Sequence, residues 1–427
     1  MDIEKLYEAF LESSSVSTDT RKIEQDCIFF CLKGQNFDAN TFSKAAVERG
    51  AKYVVIDDSD FEIEDKTILV SNVLTALQNL ARHHRETLNL PILALTGSNG
   101  KTTTKELIHA VLSKKYRVKA TVGNLNNHIG VPLTLLSFDK DTDIGIVEMG
   151  ANHQKEIEFL CAIAKPNFGY ITNFGKAHLE GFGGVEGVIK GKSEMYSYLK
   201  ENQQKVFVNL DDDMQTQNST YIDSVTFSIQ FSNADVFIPN IYANPFVELS
   251  YGGFEIKTKM IGLYNATNII ASICVANYFS VPINDIQTAL QEYTPENNRS
   301  QLLVKNENQI ILDAYNANPS SMKLALENFN SLDGQNKICI LGDMFELGTE
   351  SKLEHELIVQ QVTSYKFEKI FFIGMNFFNV KVESTKLNFF KNFDDFQKFL
   401  IVQEWVNKKF LIKGSRGIAL ERTLQYI

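Results

Sequence analysis

The sequence predicts an α/β protein built on parallel sheets. Two observations carry this expectation. Short apolar runs at residues 53–56, 92–95, 144–147, 168–171, 338–341 and 370–373 alternate with stretches of helical pattern. Each run is apolar throughout and ends in a turn, as strands covered by helices on both faces require. The 427 residues, 44% hydrophobic and 22% charged, suit a globular chain of more than one domain.

The first stretch begins Met1-Asp2-Ile3-Glu4-Lys5, without the basic and apolar regions of a signal peptide, and no apolar run approaches the length of a membrane span. A cytoplasmic location is expected. The formal net charge of −10 argues against general binding to nucleic acid or membrane surfaces. The five cysteines (Cys27, Cys31, Cys161, Cys274, Cys339) are scattered, and Cys27 and Cys31 have no second pair to complete a zinc site. They are expected to be buried free thiols.

A helix is predicted over 73–85, followed by Leu88-Asn89-Leu90-Pro91, the first boundary. A second follows the predicted helix 283–292, in the polar stretch Tyr293-Thr294-Pro295-Glu296-Asn297-Asn298. Three domains result, over 1–88, 89–296 and 297–427. Residues 225–260, rich in β-branched and aromatic residues with turns between, are predicted to form an antiparallel meander at the edge of the middle domain.

The most informative segment is Gly97-Ser98-Asn99-Gly100-Lys101-Thr102-Thr103. A strand-like run precedes it and a predicted helix, 103–113, follows it. Glycines let backbone N–H groups turn toward phosphates, and a helix N-terminus adds partial positive charge. Lys101 would reach the terminal phosphates of a nucleotide and Thr102 would ligate Mg²⁺. The spacing is shorter than the usual phosphate loop, because Leu95 stands where its first glycine would be.

Other candidates lie at strand ends, where open α/β sheets bind ligands. Glu148 closes the run 143–147 and suits Mg²⁺ shared with phosphates, or a helix cap. His178, in Thr172-Asn173-Phe174-Gly175-Lys176-Ala177-His178, fits a second metal, the orienting of a neighbour, or a structural role. Lys192 reads by itself as a solvated helix lysine. Asp313, in Asp313-Ala314-Tyr315-Asn316-Ala317-Asn318-Pro319, fits a ribose contact or an Asx turn. Lys413-Gly414-Ser415-Arg416 fits an anion or an exposed turn.

In this order the pieces resemble the Mur ligase family over nearly the whole chain, and within it the branch that adds D-alanyl-D-alanine. The stretches around Ser17-Thr18-Asp19-Thr20-Arg21 and Phe37-Asp38 resemble the part that holds a UDP-sugar substrate. The phosphate loop and Asn124-Leu125-Asn126-Asn127-His128 resemble the central ATPase domain. Residues 313–322, with Leu341-Gly342-Asp343-Met344-Phe345-Glu346-Leu347-Gly348, are the type-specific motifs. The chain departs from the family at Tyr264, Ala314 and Asn40, which stand where His, Asp and His are usual.

The resemblance implies an ATP-dependent amide ligase that joins D-alanyl-D-alanine to UDP-N-acetylmuramoyl-tripeptide through an acyl phosphate. It implies that Lys101, Glu148, His178, Lys192 and Arg299 are catalytic. Thr102 and Glu148 would hold one Mg²⁺. His178 and a carbamylated Lys192 would hold a second. Asn265, Asn268 and Asp313 would meet the nucleoside. Asn126, Asn127, Tyr315, Asn316 and Asn318 would face substrate, and Lys413, Ser415 and Arg416 the dipeptide carboxylate. A monomer acting on small molecules is expected, with no nucleic acid and no membrane insertion. The alternatives are a sister ligase, a folylpolyglutamate synthetase-like ligase, or an ATP-dependent switch protein.

Overall fold

A computed structural model of the chain describes residues 3–296 and 298–427. Met1 and Asp2, at the chain start, and Asn297, at the second boundary, lie outside the described residues. Among the described residues three mostly parallel sheets dominate, so the fold class is the α/β one the sequence predicts.

The first sheet pairs Val16–Ser17, Ile28–Phe30, Tyr53–Ile56 and Thr67–Leu69, in that order and all parallel. A small hairpin, Lys33–Gly34 with Phe37–Asp38, stands beside it. The helix Val73–Leu88 extends three residues past its predicted end and stops at Asn89, whose left-handed backbone (φ +47°) closes it. Its buried Arg85 donates to the carbonyls of Ala164 and Lys165, each at 3.0 Å, and to Asn167 Oδ1 at 2.9 Å. These charge-assisted bonds fasten the helix to the central sheet.

The central sheet has seven parallel strands. The phosphate-loop strand, Ile92–Thr96, is flanked by Ile144–Glu148 on one side and Phe168–Ile171 on the other. All five residues of Ile92–Thr96 are buried, because helices cover both faces. The chain leaves this strand for one side of the sheet first and returns to the other side later. The crevice at that switch lies beyond the carboxyl ends of these three strands. The loop at 97–100, Glu148 and the segment 172–178 therefore meet there.

The expected meander is half right. Ser224–Ser228 and Val236–Phe237 pair in parallel and extend the central sheet. Only Ile241–Ala243, Phe246–Tyr251 and Phe254–Ile261 are antiparallel. Alternating β-branched and aromatic residues suit either pairing, and the partner strand Lys205–Asn209 decides.

The third sheet runs in the order Gln301–Lys305, Asn308–Asp313, Lys409–Lys413, Lys337–Gly342, Lys369–Ile373, Leu387–Phe390. All its pairings are parallel except that of the first two strands. Parallel pairing brings Asp313 and Lys413 together at the ends of their strands. The five cysteines are free and buried. No helix among the described residues is long and apolar enough to cross a membrane.

Candidate active site

A cavity of about 970 Å³ opens between the central and third sheets. The phosphate loop forms its floor. Gly97 (φ +140°) leaves no room for a side chain, since a Cβ would stand 2.0 Å from Thr172 Oγ1. Gly100 (φ +79°) begins the helix Lys101–Leu112, and no side chain caps it. The N–H groups of the first helical turn are left open to an anion.

The loop is held by bonds from three directions. Ser98 Oγ donates to Gly175 O at 2.7 Å, and Asn99 N donates to Asn173 Oδ1 at 3.1 Å. Thr104 Oγ1 donates to Asn268 Oδ1 at 3.0 Å, Asn268 Nδ2 to Asn265 Oδ1 at 3.0 Å, and Asn265 Nδ2 to Ile261 O at 2.8 Å. Asn265 and Asn268 thus brace the helix behind the loop as well as lining the cavity. From the third sheet, Asn318 Nδ2 reaches Asn99 Oδ1 at 2.7 Å.

Lys101 Nζ folds back on Gly97 O at 2.6 Å. Burial pushes its ammonium below the usual range, Glu148 opposes this, and Arg299 adds to it. Thr102 is buried at the same helix start, and Thr103 lines the cavity. Arg299 stacks on the Tyr315 ring with its guanidinium carbon 3.5 Å from the ring centre. Its Nε is buried without a hydrogen-bond partner.

Glu148 is 2% exposed. Its Oε1 accepts from Asn126 Nδ2 at 2.8 Å, whereas Oε2 has no hydrogen bond and lies 3.9 Å from Lys105 Nζ. A buried carboxylate oxygen left without a hydrogen bond beside a phosphate loop fits a divalent cation. Among the described residues no cluster of three or more His, Cys, Asp or Glu is placed to hold a metal unaided. A cation here would share its coordination with phosphate oxygens, as Mg²⁺ does.

His178 lines the same cavity, and its Nδ1 is in contact with Glu346 of the third sheet. Lys192 is buried, 1% exposed, with Nζ 3.3 Å from Ala151 O and over the Phe182 ring. It faces no carboxylate in ion-pair contact among the described residues. Burial, with Lys101 nearby, holds its amine well below the usual lysine range.

The third sheet's polar groups are largely spoken for. Asp313 Oδ2 pairs with Lys413 Nζ at 2.5 Å, and Oδ1 accepts from Ser300 N at 3.3 Å. Asn316 Oδ1 accepts from Ala317 N at 2.9 Å, and Asn318 Oδ1 caps the helix Pro319–Ser331. Ser415 donates to Ala317 O at 3.3 Å, while Arg416 pairs with Glu421 on the surface at 2.7 Å. Asn127 Oδ1 likewise holds the turn into the helix Gly130–Leu136. Tyr264 hydrogen-bonds to Ser300 Oγ at 2.9 Å, and burial raises its phenol.

The N-terminal candidates lie elsewhere. Arg21 is bidentate to Asp19, through Nε at 2.9 Å and Nη2 at 2.8 Å, and holds that carboxyl down at about 2. Ser17 Oγ donates to Asp19 O at 3.1 Å, and Thr18 is half-buried beside it. Asp38 accepts from Asn40, and Phe37 is 60% exposed. None of these six lines the cavity.

Sequence reasoning did not single out Lys105, Asn173 or Glu346. Lys105 lies one helical turn after Lys101, a spacing that puts both on one face. Asn173 and Glu346 stand inside motifs already quoted, yet only the fold brings them to the loop and to His178.

The Mur ligase middle domain matches residues 95–276, and the Mur ligase glutamate ligase domain matches residues 298–398. A UDP-N-acetylmuramoyl-tripeptide–D-alanyl-D-alanine ligase of Bacillus subtilis is 34% identical, over 96% of this chain and 92% of its own length. The chain belongs to the Mur ligase family. The Escherichia coli ligase of the same name is 31% identical over 99% of this Mur ligase and 95% of its own length. Among solved structures, MurF from Acinetobacter baumannii superposes with a TM-score of 0.87 at 29% identity, covering 99% of this chain and 97% of that one. The MurF ligase of Thermotoga maritima in complex with ADP gives 0.84 at 27% identity, covering 98% and 97%.

Proposed function

We propose that this Mur ligase joins D-alanyl-D-alanine to UDP-N-acetylmuramoyl-tripeptide, with ATP split to ADP and phosphate. The observation that carries the reading is the buried Glu148 oxygen without a hydrogen bond beside an uncapped helix start, in a cavity walled by two domains. It is supported by relatives bearing that activity in their names over nearly the full chain, and by an ADP complex of a similar structure.

A carboxylate does not condense with an amine unaided, because its oxygen leaves poorly. The tripeptide carboxylate attacks the γ-phosphorus of ATP, ADP leaves, and an acyl phosphate forms. The dipeptide amine then attacks the acyl carbon, phosphate departs with the bonding pair, and the amine loses its proton. In phosphoryl transfer the protein's work is mainly positioning and charge neutralisation. The open N–H groups at residues 100–103 cradle the phosphates. Lys101 leaves Gly97 O for the terminal phosphates, and Arg299 turns its unpaired Nε toward the same charge. Thr102 and Glu148 would hold one Mg²⁺, with His178 and Lys192 holding a second. Bound there, Mg²⁺ neutralises the triphosphate and polarises the oxygens of the reacting groups.

Lys192 suits carbamylation for a physical reason. Burial holds its amine well below the usual lysine range, and the neutral form of an amine adds to CO₂, forming an N–C bond and releasing one proton. The carbamate supplies oxygen ligands where the ammonium supplied none. Asp313 would release Lys413 to meet the ribose, leaving Lys413, Ser415 and Arg416 near the dipeptide carboxylate. Residues 1–88 would hold the UDP-sugar, 89–296 the ATP and 297–427 the dipeptide. The enzyme would act as a monomer in the cytoplasm.

The test uses tripeptide substrate labelled with ¹⁸O in its terminal carboxylate. One label per turnover should appear in the released phosphate. Unlabelled phosphate accompanied by full ligation would overturn the acyl-phosphate route.

A further inference from the structure

His178 sits on the central domain, and the carboxylate against it comes from the third. Glu346 lies in the loop that follows the strand Lys337–Gly342, and that loop is rigidly held. Asp343 accepts from the N–H groups of Asn376 and Phe377, both at 2.9 Å. Met344 N donates to His355 Nε2 at 3.1 Å, and Phe345 N donates to Ser415 Oγ at 3.1 Å. Glu346 itself takes a left-handed backbone (φ +62°), and its carbonyl accepts from Glu180 N at 3.2 Å. A second bridge stands nearby, where Lys176 Nζ reaches Glu354 at 2.6 Å.

The chemistry of the contact fixes the proton. His178 Nδ1 is buried with no hydrogen bond of its own, and the group against it is Glu346 Oε2; a bare imidazole nitrogen and a carboxylate oxygen repel each other, so the hydrogen of the ring belongs on Nδ1. The imidazole in turn holds the Glu346 carboxyl below its usual range. In the neutral ring Nε2 then bears the lone pair, and it makes no hydrogen bond among the described residues. A histidine that gives one ring N–H to a carboxylate and the other nitrogen to a metal is oriented and made more basic by that carboxylate.

We propose that Glu346 is a positioning residue supplied across the domain boundary: its carboxylate keeps the His178 proton on Nδ1 and so reserves Nε2 for a cation in the cavity. This rests on the ligase reading, and it adds a dependence of the cation site on the third domain. Glu346 is half-exposed, so its pairing matters little for folding.

The experiment uses the full chain as wild type, Glu346→Ala and Glu346→Gln. Without metal, ¹⁵N NMR of the histidine rings should find His178 protonated on Nδ1 in wild type and on Nε2 in Glu346→Ala. Glu346→Gln, whose amide oxygen still accepts, should keep the wild-type tautomer. Mn²⁺ titration followed by electron paramagnetic resonance, with a non-hydrolysable ATP analogue, should show one of two sites weakened about 10–100-fold in Glu346→Ala. ADP affinity and melting temperature should stay unchanged. A purely structural role would move the melting temperature and leave the tautomer alone. Wild-type His178 protonated on Nε2, or equal Mn²⁺ binding in wild type and Glu346→Ala, would overturn the role of Glu346 while ADP still bound. Wild-type protein that bound no ADP would instead overturn the ligase reading.

Discussion

The phosphate-loop region and the N-terminal region were both expected to bind substrate, yet they are built in opposite ways. Around the loop, polar groups are buried and some are left without hydrogen bonds: Glu148 Oε2, Arg299 Nε and the first-turn N–H groups. Around Ser17–Asp38 the candidate groups run from buried Ser17 to exposed Arg21 and Phe37, and the polar ones are satisfied by one another, as Arg21 is by Asp19. An unpaired buried group costs about 1–3 kcal/mol, so a fold retains it where a ligand completes it. The first region is a preformed site. The second is a surface whose groups must exchange partners before they can hold anything.

The comparison breaks most readily at Lys101. Lys101→Ala should lower kcat/KM for ligation by at least about 100-fold, the scale for removing one preorganised charge partner. Thermal melting should be unchanged or raised, because a buried ammonium is lost. Full activity in this variant would show that the loop is not the phosphate site.

Lys192 gives the next effect. Lys192→Arg cannot form a carbamate, and turnover should fall about 10–100-fold, as for a lost support of a metal site. Its pH signature is separate. The folded amine titrates below its unfolded value of 10.5, so between the two the unfolded chain binds more protons and stability rises with pH. In CO₂-free buffer Lys192→Met should therefore be more stable than wild type at low pH, with the gap closing as pH rises toward 10.5. Chemical denaturation across that range reads it, and a constant gap would contradict the burial argument.

A smaller effect is expected where the third sheet's domain braces the phosphate loop. Asn318→Ala removes both the 2.7 Å bond to Asn99 and the cap of the helix Pro319–Ser331, so a several-fold rise in KM for ATP should come with about 1 kcal/mol of lost stability. The smallest should be at the surface pair. Arg21→Ala should raise KM for the UDP-substrate a few-fold, with kcat and melting temperature unchanged. A large loss of stability there would show that the N-terminal surface is structural after all.

What could be read from the sequence follows the same divide. The α/β class, the strand before the loop and the helix Ile283–Glu292 are written in local periodicity. The loop is written in glycines and a Lys-Thr pair, although its helix starts two residues earlier than periodicity suggests, at Lys101. The resemblance has Asn127 and Asn318 face substrate, but helix starts claim their side chains. Asp313 and Lys413 read as two separate ligand contacts, and the parallel pairing of their strands joins them to each other. Glu346 and Lys105 could not be assigned, because their partners lie on other elements and no spacing connects them. The strand Ser224–Ser228 was taken for part of the meander because its local pattern does not name its neighbour.

The central claim is that this cavity spends ATP to make a peptide carboxylate reactive toward an amine. ADP release, followed with UDP-N-acetylmuramoyl-tripeptide and D-alanyl-D-alanine supplied singly and together, tests it most directly. Fast release is predicted only when both are present. Fast release with neither, as from a nucleotide-driven switch, would contradict it.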